Sequence, residues 1–318
     1  MLWFLAAFAL AVVVFAVMAL EGTFGPGSFR AQFNAAKRRR GQGQEPTTIG
    51  EKDLAVLPAP VARYLRVAGV VGRPRVRDYT VRFSGRIRRG ADAPWMPFTA
   101  EQHSVVSGPT RLFLMRARMC GLPVEAFHRY QGGLASMKVV LAGLVPIADA
   151  AGPALDMSET VTVLNDMALL APATLLDPRI TWAAIDDRSV RASFDVAGHI
   201  VSATLFFDES GLLSNFVSDD RSRASDDGRS FTQMRFSTPV GEFRNFDGMT
   251  LPSYGEARWH APEGAFTYGE FHVTAVAYNR AQPPAIAPTT SRGSLPSATA
   301  AGSFVSGGSW ERSSSHAK

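Results

Sequence analysis

Asn165 and Asp166 stand side by side inside the apolar run ETVTVLNDMALLAPATLL. Polar side chains in such surroundings cost free energy unless something partners them. Two roles fit: a structural one, binding a strand end or Arg179, and a ligand one, offering an amide and a carboxylate to a bound molecule. Met167 and Leu170 on the same run, with Tyr254 and Trp259 downstream, complete the candidate ligand-binding set. A second constellation is Glu270 with His272, two apart on an alternating stretch and so on one face, and His260 on the stretch before it. That trio has the donor set of an open zinc site. Half-exposed strand histidines more often do nothing so specific, and no metal is expected. Cys120 is the only cysteine, and it reads as a buried, inert thiol unless His128 is brought beside it. The acidic pairs Asp186–Asp187, Asp219–Asp220 and Asp226–Asp227 fall at turns and are read as turn chemistry.

No G-x-S-x-G, G-x-G-x-x-G, phosphate-loop or H-E-x-x-H pattern occurs. No catalytic residue is assigned from the sequence and no cofactor is expected. An enzyme remains open in one form, a hydrolase using Asp166 with a histidine.

The elements that must position these residues are mostly strands. From Arg75 to Arg89, Tyr79, Val81, Phe83 and Ile87 share one parity, while Asp78, Thr80, Arg82, Ser84, Arg86 and Arg88 share the other. This predicts a strand with one buried and one wet face, the habit of antiparallel sheets. Similar stretches lie at 98–106, 111–119, 123–130, 134–142, 190–196, 199–207, 230–238, 253–260 and 266–278, with turn signals between them. So many short strands without alternating helices exclude a doubly wound or TIM-barrel pattern.

Two helices interrupt the strands. Leu57, Val61, Tyr64, Leu65 and Ala68 fall on one helical face, with Pro60 in the first turn and Gly69 as the stop. In the second, Ser158 is expected as the cap and Glu159 as a first-turn acid. Val161, Leu164, Met167 and Leu170 keep the spacing until Pro172 bends or ends the helix. The fold expected is mainly β: one strongly curved antiparallel sheet, an incomplete barrel, with this helix across its concave face.

The first twenty residues carry no charge and as a helix are about 30 Å long, which matches a bilayer core. No Lys or Arg precedes the run, so a transmembrane anchor is preferred to a cleaved leader, although Val17 and Ala19 form a weak cleavage site. Arg30 and Lys37 to Arg40 follow closely, and the positive-inside rule then favours a cytoplasmic body. The domains read as 1–21 anchor, 22–53 basic juxtamembrane segment and linker, 54–280 β-rich body and 281–318 disordered tail, the last dominated by Ser, Ala, Pro, Gly and Thr. With 46% apolar residues the body can bury a sizeable core, and the net charge of +5 sits largely beside the anchor. Membrane lipid is therefore the expected partner and nucleic acid is not.

The stretches PWMPFTAEQ, GLPVEAFHRYQGG, KVVLAGLVPIADAAGP, ETVTVLNDMALLAPATLLDPRITW and LPSYGEARWHAPEGAFTYGEF resemble a bacterial family of unknown function whose members are often preceded by a membrane helix. The similarity runs from about Leu57 to Asn279. The family often has a cysteine where this chain has Ala168, which counts against thiol chemistry. The hairpin ATLFFDESGLLSNF is similar to those of periplasmic lipoprotein carriers, incomplete barrels whose helices close an apolar cavity. The resemblance implies a domain that binds a hydrophobic small ligand or lipoprotein, lipid or acyl chain, outside the cytoplasm. It thus opposes the charge count, and the extracytoplasmic side is favoured because long domains translocate despite flanking charge. A structural envelope component whose tail recruits partners is the third reading.

Overall fold

The computed structural model describes residues 1–38, 47–119, 121–225 and 227–279. Cys120, Asp226, Arg39, Arg40 and the expected tail lie outside them. Four helices come first: α1 (Leu2–Phe24), α2 (Phe29–Arg38), α3 (Glu51–Leu54) and α4 (Ala59–Val67). Six strands follow: β1 (Asp78–Ile87), β2 (Met96–Val105), β3 (Thr110–Met119), β4 (Leu122–Gln131), β5 (Leu134–Leu141) and β6 (Val145–Ala151). Then come α5 (Pro153–Leu170) and a 3-10 helix (Pro172–Leu176). The remaining strands are β7 (Ile180–Asp186), β8 (Ser189–Val196), β9 (His199–Phe207), β10 (Leu213–Ser218), β11 (Ser222–Ala224), β12 (Phe231–Gln233), β13 (Arg235–Ser237), β14 (Val240–Phe246), β15 (Met249–Ala261) and β16 (Gly264–Tyr278).

Fourteen strands make one open sheet in the order β6-β5-β4-β3-β2-β1-β16-β15-β13-β10-β9-β8-β7, with β14 paired to β15. Every pairing in it is antiparallel. The chain crosses from edge strand β6 to edge strand β7 through α5, which fills the concave side. This is the expected incomplete barrel with a helix across it.

α5 is buried nearly all round, as a helix enclosed by a sheet must be. Its side chains tie it down. Asp156 Oδ1 accepts from the Ala135 amide at 2.6 Å, and the Thr160 hydroxyl lies 2.8 Å from that of Tyr130. At the other end the Tyr64 and Tyr278 hydroxyls donate to the Ala168 and Leu170 carbonyls at 2.7 and 2.5 Å, satisfying acceptors that a helix terminus leaves open. The helix begins at Pro153, five residues before the expected cap. Ser158 instead donates to the Ala154 carbonyl and accepts from the Ser222 amide, so it joins α5 to β11.

The wet face expected on β1 is interrupted: Asp78 and Thr80 are buried, Thr80 beside His103. For Thr80 the reason is nonlocal, since its row runs through His103 to Leu112. On the convex face of β3 and β4, Leu112, Leu114 and Phe127 form an apolar patch, and α2 lies over it with Phe33 fully buried. Glu101 holds α2 in place through Arg30 at 2.6 Å and Lys37 at 3.6 Å. Two of the basic residues counted beside the anchor are therefore engaged with the body. The expected linker also does more than connect. Thr48 bridges Pro74, and Ile49 is completely buried in the main core.

α1 is exposed over most of its length and is the one helix among the described residues long and apolar enough to cross a membrane.

Candidate functional site

Between α5 and the concave face of β1–β4 and β14–β16 lies a cavity of about 180 Å³. That is several times a water molecule's share of liquid volume, about 30 Å³. Phe83, Met115, Leu169, Leu170, Phe271 and Val273 give it mainly apolar walls. One end is polar. Arg111 on β3 reaches Asp166 at 2.6 Å and Glu159 at 3.1 Å, both on α5. Gln102 Nε2 donates to Asp166 at 2.8 Å, His128 Nδ1 is 3.4 Å from Glu159, and Asn165 Nδ2 donates to the Thr238 hydroxyl at 3.1 Å.

Helical geometry explains the α5 contribution. Glu159, Thr162 and Asp166 recur at three and four residues, so they form a stripe down one side, with Asn165 and Leu169 beside it. Strand alternation explains the rest. Arg111, Phe113 and Met115 share a parity and face inward, while Leu112 and Leu114 face α2.

The two carboxylates are pushed in opposite directions. Burial opposes the ionised form of Glu159, but the charges of Arg111, His128 and Arg221, with the His128 hydrogen bond, outweigh it and hold the group at about 2. Burial also opposes ionisation of Asp166, and there it prevails over Arg111 and Gln102, so the pKa is raised. Asp166 is thus the cluster member poised to take a proton. Gln102 Oε1 and Asn165 Oδ1 are buried with no hydrogen-bond partner in the protein.

Of the residues singled out from the sequence, Asn165, Asp166, Leu170 and Tyr254 line this cavity. Asp166 pairs with Arg111 and not with Arg179, which binds its neighbour Asp177. Met167 points away, toward a tight core region beside Tyr79 and Phe194. Trp259 lies outside the wall, stacked on Tyr268 at 5.5 Å and edge-on to Phe236 at 5.4 Å, two residues that do border the cavity.

The histidine trio is not assembled. His272 sits opposite Tyr254 on β15, six residues from His260, or about 20 Å along a strand. His260 Nε2 contacts the Ser237 hydroxyl, and Glu270 is bound by Arg86. No three His, Cys, Asp or Glu among the described residues could hold a metal ion. For the hydrolase reading, neither His260 nor His272 lines the cavity with Asp166; the histidine that does, His128, faces Glu159.

Arg111, Glu159, Gln102, His128 and Arg221 are site residues that sequence reasoning did not assign. The seven-residue spacing of Glu159 and Asp166 on a buried helix was the signal available for one of them.

A family model describing a family of unknown function, DUF6544, matches residues 47–271, more than two-thirds of the chain. The chain belongs to DUF6544. The match takes in every cavity-lining residue except Val273, whereas α1 and α2 precede it. No protein of curated function matches this DUF6544 member. Several solved structures resemble it. A domain named for outer membrane lipoprotein sorting, from Vibrio parahaemolyticus, is 7% identical, covering 64% of this chain and 85% of its own, with a TM-score of 0.38. A DUF1329 family protein from Desulfovibrio piger is 13% identical over 70% and 92%, TM-score 0.39. A LolA superfamily protein from Nitrosomonas europaea is 10% identical over 71% and 95%, TM-score 0.38. At TM-scores this low the likenesses carry no functional weight.

Proposed function

We propose that this DUF6544 protein binds one hydrophobic or amphipathic molecule, lipid or acyl chain, in the cavity between α5 and the sheet, and that α1 is a retained single-pass anchor holding the body beside the membrane. The observation that carries the reading is the cavity itself. Protein interiors are close-packed, and an opening of this size leaves the apolar side chains of its walls without packing partners on one side unless a ligand occupies it. The polar end would orient an amphiphile. Glu159 and Asp166 already engage Arg111, so that cluster favours a neutral or hydrogen-bonding head over a second carboxylate.

Amphiphile content tests this. The full chain, transferred from membranes into amphipol, is extracted and its lipids quantified by mass spectrometry, beside a variant with Ala257→Phe in the cavity wall. Near-stoichiometric amphiphile, falling at least threefold in the variant, is expected. Equal content in both, or none in either, overturns the proposal.

A further inference from the structure

Strand register decides which turns share an end of the sheet. Ile87 lies opposite Met96 and Gly269, Phe98 opposite Ala117, Ala117 opposite Val124, and Val124 opposite Leu141. The turns that follow β1, β3 and β5 therefore emerge together, and the β15–β16 hairpin runs past the same end. The cavity reaches this end, because Ile87, Ala257, Tyr268 and Phe236 border it there, while Gln102, Arg111 and His128 lie deeper.

α1 joins the body at this end too. Gly22, in its last turns, packs so closely on the Gly143 carbonyl in the β5–β6 turn that a Cβ at position 22 would collide with it. No slack separates the apolar helix from the turn. The neighbouring turns have the composition of a membrane interface. Trp95 lies under the Arg86 and Arg88 guanidinium groups at 4.6 and 4.5 Å, and Leu122 and Val145 are each 50% exposed. Arg118 is exposed beside them. Aromatic and basic residues with outward aliphatic ones are what headgroup regions select.

We propose that this end of the half-barrel rests on the bilayer that α1 enters, with Arg88 and Arg118 at anionic headgroups, Leu122 and Val145 in the interface, and the cavity opening toward the lipid. The inference rests on α1 being a retained span and not on what the cavity holds.

The test uses the full chain with Cys120→Ser and one new cysteine: Val12→Cys in α1, Leu122→Cys at the proposed interface, or Leu134→Cys. Leu134 is 69% exposed and lies at the opposite end of the sheet, about 30 Å away along β4. Each carries an environment-sensitive fluorophore in nanodiscs of phosphatidylcholine and phosphatidylglycerol doped with spin-labelled lipid. Several-fold quenching at positions 12 and 122 with little at 134 is expected, and Arg88→Glu with Arg118→Glu should relieve quenching at 122 alone. Quenching at 12 without 122 overturns the orientation and leaves the anchor standing. Absence of quenching at 12 removes the anchor and the orientation together.

Discussion

Arg111 lies within hydrogen-bond reach of both Asp166 and Glu159, yet the two carboxylates shift in opposite directions, because the surrounding charges outweigh burial only at Glu159. Removing one side of a buried ion pair leaves an uncompensated charge, at a cost of about 3–5 kcal/mol. Glu159→Gln is expected to lose that much at neutral pH, read from the urea midpoint. The sign with pH follows from linkage. Glu159 is held below the usual 4.5, so its contribution is present above that value and fades as pH falls toward about 2. The gap between wild type and Glu159→Gln should therefore narrow over that window. Asp166 is raised, so its native environment favours the protonated form, and that preference stabilises at low pH and is lost as pH rises. Asp166→Asn keeps an acceptor for Arg111 and Gln102 and should cost clearly less than Glu159→Gln at pH 7. Equal losses in the two variants would contradict this division of roles.

At the scale of elements, α2 is a satellite attached through two aromatic side chains, Phe29 and Phe33, and one carboxylate, Glu101. Phe33 fills the patch of Leu112, Leu114 and Phe127, and truncating a buried Phe costs about 3–5 kcal/mol. Because α2 precedes the family-matched body, Phe33→Ala should release α2 without melting the sheet. Hydrogen exchange would rise across α2 while the β1–β16 pair stays protected; loss of protection in both would show that α2 belongs to the cooperative core. Gly69, at φ +77°, stops α4 in a conformation that a side chain strains, with the Gly248 carbonyl oxygen 3.2 Å from where a Cβ would sit. Gly69→Ala is expected to lower stability by about 1 kcal/mol or more, or roughly 2–4 °C in Tm for a body of this size.

The strands that the sequence revealed were those with one apolar parity, such as Tyr79, Val81 and Phe83 in β1. β6, β7 and β14 were not recognised. β6 and β7 are sheet edges and β14 pairs only with β15, so their alternation is weak, and β6 tolerates Pro146 at an edge. The helix face of α4 was legible in Val61, Tyr64 and Leu65, all buried, although Ala62, off that face, is buried as well.

For the whole molecule, the curved open sheet with α5 across it followed from many short strands and one long apolar helix. The site was half legible. Asn165 and Asp166 announced themselves as polar groups in an apolar helix, whereas Arg111 is one arginine among many until the register of β3 brings it beneath α5. The histidine trio failed for the same reason: proximity in sequence says nothing of six residues' offset between β15 and β16.

The central claim, a hydrophobic ligand inside the half-barrel, is tested most directly by photocrosslinking. The full chain in nanodiscs containing a phospholipid or fatty acid with a diazirine in its acyl chain is irradiated, and the adducts are mapped by peptide mass spectrometry. Adducts on cavity residues such as Phe83, Met115 and Phe271, reduced by Ala257→Phe, are the predicted result. Adducts confined to α1 and the outer surface, with the cavity wall unlabelled, would contradict it.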